Sequence, residues 1–312
     1  MKRRLTFLML CITMMFLVAC SAEGDYYDGF RVDNNVKEDG EEIPTGGEYT
    51  KFATKATYKG GQNMPETAEM GDIYKYGDYT YTMRKDGWSV ALSEGTDKAK
   101  EAYGEILGTI ASFPIIDLND LFKECTNMKI APKLPDTVQT MSNTFYGCAA
   151  LEEIEAFPSS LEKMQYVCYD CTSLKELPDV PASVNNMQYA FSGCSSITKV
   201  PKLPDGLTIL SYAFDRCSSL LETPEIPATV KDMAGAFKSC TSLVKATEIP
   251  ASVEYLTDTF NGCTSLTGTV VINANPSNRA GCFASVNFAA QGLEVTGAST
   301  MIDKLMQTGI VH

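Results

Sequence analysis

Seven cysteines, Cys125, Cys148, Cys171, Cys194, Cys217, Cys240 and Cys263, stand 23 residues apart along the chain. A fixed period in the twenties is the signature of stacked coils, each too small to bury its own apolar side chains and each covered by its neighbours. The other slots of the period agree. Three residues after the cysteine come Met128, Leu151, Leu174, Ile197, Leu220, Leu243 and Leu266. Position 13 carries Val138, Leu161, Val184, Leu207, Val230 and Val253, and position 16 carries methionine or leucine. Position 20 carries Phe145, Cys168, Phe191, Phe214, Phe237 and Phe260. A half-repeat with Ile115, Leu118, Leu121 and Phe122 precedes Cys125.

The expected fold is a repeat solenoid of short parallel strands and turns over residues 112–270, closed by a cap at each end. Prolines seven and ten residues after the cysteine, such as Pro178 and Pro181, remove backbone donors and mark corners. A strand is expected from position 3 to position 9, with a second extended piece before the turn that leads to the next cysteine. Residues 49–111 read as the N-terminal cap. It would hold a β-hairpin around Asp86-Gly87 and a helix from Thr96 that places Tyr103, Ile106, Leu107 and Ile110 on one face. Past Cys263 the period fails. Residues 271–312 then read as the C-terminal cap, with a strand in GLEVTGAS and a helix from Ser299 to Gly309.

The cysteines themselves read as a structural ladder. Side chains from parallel coils have poor torsional geometry for a disulfide, each cysteine has two equivalent neighbours, and seven is odd. Cys168-Tyr169-Asp170-Cys171 has C-x-x-C spacing, but Cys168 occupies a slot that the other coils give to phenylalanine. No second such pair completes a zinc site, and His312 is the only histidine. The expectation is therefore no metal, no cofactor and no catalytic residue, since Ser-His and Cys-His dyads and the H-E-x-x-H motif need an internal histidine and no pair of acids is marked out across a cleft.

The first nineteen residues begin with Lys2, Arg3 and Arg4 and continue through an apolar run from Leu5 to Val18. The layout is that of an export signal, and Leu17-Val18-Ala19-Cys20 resembles the lipobox of bacterial lipoproteins. That resemblance implies diacylation at Cys20 and a membrane partner through the lipid. Residues 20–48 hold nine acids against Arg31 and Lys37, which reads as a solvated tether. The chain carries a net −13, and the basic signal leaves −16 for the remainder, so nucleic acid is not an expected partner.

The repeat pattern C-[TS]-S-L-x-x-L-P-x-V-P-x-S-V-x-x-M-x-x-A-F-x-x-C resembles the BspA-type leucine-rich repeat of bacterial surface proteins. The AF-x-x-C-[TS]-S-L element is its distinctive part. An extra proline and a methionine ahead of the AF pair depart from the better-known members. The resemblance implies a cell-envelope location outside the cytoplasm and adhesion to a host protein or another cell. A carbohydrate ligand and a passive spacer are the other readings. Eighteen residues after the cysteine, three successive coils carry Tyr166, Tyr189 and Tyr212, where neighbouring coils carry Asn143, Gly235 and Asp258. A slot that accepts Asn, Gly and Asp reads as exposed. The three tyrosines are then either a binding stripe, widened by Tyr146 and Tyr169, or rings that shield the edge of the stack.

Overall fold

The computed structural model describes residues 48–50, 57–59 and 68–297. The signal, Cys20, nearly all of the tether and the helix expected from Ser299 lie outside them. Glu48, read as the last tether residue, opens the first strand.

The N-terminal region is a seven-stranded sheet. Its strands are β1 (Glu48–Thr50), β2 (Thr57–Lys59), β3 (Ile73–Tyr76), β4 (Tyr79–Met83), β5 (Trp88–Leu92), β6 (Thr109–Ile110) and β7 (Phe113–Asp117), in the order β2-β1-β3-β4-β5-β7-β6. The β4–β5 hairpin around Asp86-Gly87 forms as expected, with Tyr81 opposite Val90. The helix expected from Thr96 does not form. Two tyrosines of the hairpin hold the backbone of that segment in an irregular path instead. Tyr79 Oη donates to the carbonyl of Gly104 at 2.6 Å, and Leu107 N donates to Tyr81 Oη at 3.2 Å. Gly104 and Gly108 weaken the competing helix. Ile106, Leu107 and Ile110 are still buried, so their apolar character was informative although their spacing was not.

β7 carries the sheet into the solenoid. It runs parallel to β5, with Ile115 opposite Trp88, and its last residue, Asp117, bridges Thr140 one coil on. The sheet of the expected cap therefore continues past residue 112, into a strand that the first coil shares. From there the coils advance by 23 residues, but the strand expected from position 3 to position 9 is reduced to scattered single bridges, such as Ile130 with Glu153 and Glu222 with Lys245. The prolines supply no N–H there. The more continuous ladder is at position 15, through Asn186, Ile209, Asp232, Tyr255 and Asn278.

After that ladder each coil makes an eight-residue arc in which even and odd positions do different work. In the coil that ends at Cys194, the N–H groups of Met187, Tyr189, Phe191 and Gly193 donate to the next coil, at Ile209, Ser211, Ala213 and Asp215. The intervening Ala190, Ser192 and Cys194 donate three residues back, to Met187, Tyr189 and Phe191. Every amide of the arc from Met187 to Cys194 except that of Gln188 is thus paired within the backbone, and Gln188 N donates to Asn186 Oδ1.

The core is a file of rings. Phe191, Phe214, Phe237, Phe260 and Phe283 stack at 5.4 to 5.9 Å, and Phe122 stacks on Phe145 at 5.6 Å. Rings set at steep angles close both ends. Tyr79 meets Phe122 edge-on at the N-terminal side, and Phe288 meets Phe283 at the other. Phe283 also shows that the coil period does not end at Cys263. Residue types change, with Arg279 and Val286 in the methionine and cysteine slots, yet Leu256, Asp258, Phe260 and Gly262 still donate 22 residues on. β8 (Gly268–Ile272) and β9 (Leu293–Gly297) then pair in parallel, with the short helix α1 (Phe288–Gln291) between them. The stacked coils therefore run past residue 270, into what the sequence assigned to the cap.

Candidate functional site

The arc places two backbone positions of each coil in the left-handed region. Position 18 has φ of 56° at Asn143, 57° at Tyr166, 54° at Tyr189, 54° at Tyr212, 61° at Gly235 and 55° at Asp258. Position 22 behaves the same way at Gly147, Asp170, Gly193, Arg216, Ser239 and Gly262. Asn, Gly and Asp at position 18 thus report a backbone angle rather than exposure. The tyrosines there are half-buried, a correction to the sequence reading.

From that position the side chains form a column. Tyr166 stacks on Tyr189 and Tyr189 on Tyr212, each at 4.8 Å between ring centroids and within 11° of parallel. Three positions further round, Tyr146 stacks on Tyr169 at 4.7 Å. The two columns touch, with Tyr169 at 5.9 Å from Tyr166 and 6.3 Å from Tyr189. The structure thus brings the five tyrosines singled out in the sequence into one cluster.

Charged groups that the sequence did not single out finish it. The Lys123 ammonium lies over Tyr146 and the Arg216 guanidinium over Tyr169, both 5.3 Å from the ring centre. Arg216 is held by Asp170 at 3.0 Å and Asp215 at 3.1 Å, and also donates to Ser192 Oγ. Tyr212 lies on Gly235, where a Cβ atom would come within 2.3 Å of the ring. Ring faces are therefore largely occupied by other rings, by cations or by backbone. Tyr166 has no ring or cation stacked on its outer face among the described residues, and Asn143 fills the same slot one coil earlier. The five hydroxyls make no hydrogen bond to another described residue and are not among the buried unpartnered atoms, so they meet solvent. Burial, with the neighbouring phenols, pushes the Tyr189 hydroxyl above its ordinary value, which keeps it a donor.

The seven ladder cysteines lie on the far side of the arc backbone, buried and unpaired. From Cys148 onward each thiol donates to the ring-slot carbonyl one coil back, as Cys148 does to Phe122 at 3.0 Å and Cys240 to Phe214 at 3.1 Å. Burial raises these thiols, to about 12 for Cys263. Cys168 is also fully buried in the ring slot, where it interrupts the file between Phe145 and Phe191. Phe157, larger than the Leu, Val or Ile that other coils carry at that place, reaches Phe191 at 6.2 Å. Cys20 is outside the described residues.

Comparison with known proteins agrees with this architecture. The model of the BspA type leucine rich repeat region matches in six copies, over residues 118–244 and 187–292. Among solved structures, a leucine rich repeat protein of T. pallidum is 25% identical, with a TM-score of 0.51, over 61% of this chain and 88% of that one. A leucine-rich repeat protein from Bacteroides ovatus is 21% identical, with a TM-score of 0.48, over 72% of this chain and 53% of that one. No curated protein matches. Repeats of this kind typically serve as binding scaffolds rather than enzymes. With its 23-residue coils, paired left-handed positions and matching family model, the chain belongs to the BspA-type leucine-rich repeat family.

Proposed function

We propose that this protein is a lipid-anchored, surface-exposed adhesin whose tyrosine face engages a protein ligand. The observation that carries the reading is the placement of Tyr166, Tyr189 and Tyr212 at positive φ. A bulky residue there is strained by about 1–3 kcal/mol, whereas glycine or asparagine would occupy the same angle with less strain. Three successive coils accept that penalty and in return hold a pre-ordered aromatic surface. Tyrosine offers large contact area at low entropic loss, and stacking removes much of the rest before any ligand arrives.

A carbohydrate ligand fits less well. Sugar rings pack on aromatic faces, and here nearly all faces are taken. The envelope location rests on the basic and apolar N-terminus and on Cys20, where attached acyl chains would hold the protein at a membrane. Cys20→Ala should abolish fatty-acid labelling, and labelling that persists would remove the anchor from the proposal.

The triple variant Tyr166→Asn, Tyr189→Asn, Tyr212→Asn tests the face, because Asn keeps the backbone angle. Adhesion of the full chain to a panel of host-matrix proteins and cells should be lost while the melting temperature changes little. Adhesion that survives would reject the face. A wild-type chain that binds nothing on the panel would favour the spacer.

A further inference from the structure

We infer that the tyrosine face receives a proline-rich, neutral-to-basic segment in the polyproline II conformation, lying along the stack axis. This rests on the binding reading above and names the class of ligand. The spacing makes the first argument. Two steps of 4.8 Å set Tyr166 and Tyr212 about 9.6 Å apart, with Tyr189 midway. A polyproline II chain returns to the same side about every 9.3 Å, three residues at about 3.1 Å each. It therefore drifts by only about 0.3 Å across the column. An extended strand returns about every 6.7 Å and matches neither one step nor two. Two turns of an α-helix rise about 10.8 Å and miss by more than an ångström.

Hydrogen bonding makes the second argument. A polyproline II chain has no internal hydrogen bonds, so its carbonyls need donors. The column offers a row of phenol hydroxyls without partners among the described residues, and its aromatic edges suit compact apolar pyrrolidine rings. Charge makes the third. The chain carries −13, of which the first nineteen residues contribute +3 and residues 21–48 contribute −7, leaving −9 on the remainder. Beside the column, Arg216 and Lys238 are already paired with Asp170, Asp215 and Asp258. Lys123, over Tyr146, lies against Asp120 at 3.6 Å. Among the described residues each of these three cations thus has an acidic partner, which leaves little to draw an acidic segment, and the long-range field favours lysine or arginine in the ligand.

The test titrates the full chain with three labelled peptides, built from repeated Pro-Pro-Lys, Ala-Ala-Lys and Pro-Pro-Glu triplets, and follows fluorescence anisotropy. The Pro-Pro-Lys peptide should bind, and the triple Asn variant should weaken it about tenfold or more. Each control peptide should bind the wild-type chain at least about tenfold more weakly. Equal binding of the Ala-Ala-Lys peptide would show attraction by charge alone and overturn the proposal. Equal binding of the Pro-Pro-Glu peptide would overturn its charge preference, and no binding of Pro-Pro-Lys would overturn it whole. In that last case, loss of adhesion in the triple Asn variant would still leave the adhesive face standing.

Discussion

The inner file of phenylalanines and the outer file of tyrosines keep the same period yet obey different rules. The inner slot is governed by volume. Where Cys168 replaces the ring, Phe157 grows in from another slot and reaches Phe191, so the interior stays filled. The outer slot is governed by backbone angle. Gly, Asn and Asp meet it with little strain, whereas Tyr meets it under strain. An aromatic inside the stack therefore says only that there is a core. An aromatic at position 18 says that something other than folding favours it.

The largest test of the contrast is alkaline pH, which acts on the file of buried thiols inside and, in the outer column, on the raised Tyr189 hydroxyl. Thiols raised by burial contribute stability that is fully present below their ordinary value of 9.0 and is lost as pH climbs through the folded value, about 12 for Cys263. In that window each buried thiol removes about 1.4 kcal/mol per pH unit. Circular dichroism should show a steep unfolding above pH 9, and Cys194→Ala with Cys217→Ala should move its midpoint upward. An unmoved midpoint would mean that the thiols do not govern it.

Truncating one inner ring comes next. Phe214→Ala, between Phe191 and Phe237, should destabilise by about 3–5 kcal/mol in denaturant titration. A loss under about 1 kcal/mol would mean that neighbours refill the slot as they do at Cys168.

The outer column meets the backbone at Gly235. Gly235→Ala adds a methyl 2.3 Å from the Tyr212 ring, while Gly262→Ala, also at positive φ, adds one with 3.4 Å of clearance. Both suffer the angle, but only the first displaces a ring. It should be the worse by about 1–3 kcal/mol, with a change in tyrosine fluorescence that the second lacks. Equal losses would show that Tyr212 moves aside freely.

The smallest effect is expected on the outer file itself. Tyr189→Asn trades stacking for relief of strain and should leave the melting temperature nearly unchanged. Tyr189→Ala loses the stacking and keeps the strained angle, and should fall lower by about 1 kcal/mol. If the two variants melt together, the angle is not what sets this slot apart.

Apolar slots were plain in the sequence because burial repeats with residue type. Leu174, Val184, Met187 and Phe191 are all fully buried. The arc was not, because position 18 mixes tyrosine with glycine, asparagine and aspartate, and only the angle unites them. That mixture was itself the available signal, and it resembled exposure. The coil after Cys263 was hidden for the opposite reason, since its backbone register persists while Pro276 and Arg279 replace the expected apolar types. The lost helix after Thr96 had the right apolar spacing. Its fate was decided by hydroxyls of Tyr79 and Tyr81, more than twenty residues away.

The amide hydrogen bonds that join one arc to the next all point one way, from N–H in one coil to C=O in the following coil. Their dipoles add along the stack, positive toward the last coil and negative toward the first. At the negative end the Lys98 ammonium takes the carbonyl of Lys123. At the positive end the N–H groups of Arg279, Gly281, Phe283 and Ser285 find no carbonyl among the described residues. Such a stack can be lengthened or shortened inside only by whole coils, because any cut within an arc strands several donors on one side and as many acceptors on the other. Its length, and with it the reach of any surface it carries, is quantised in units of one repeat.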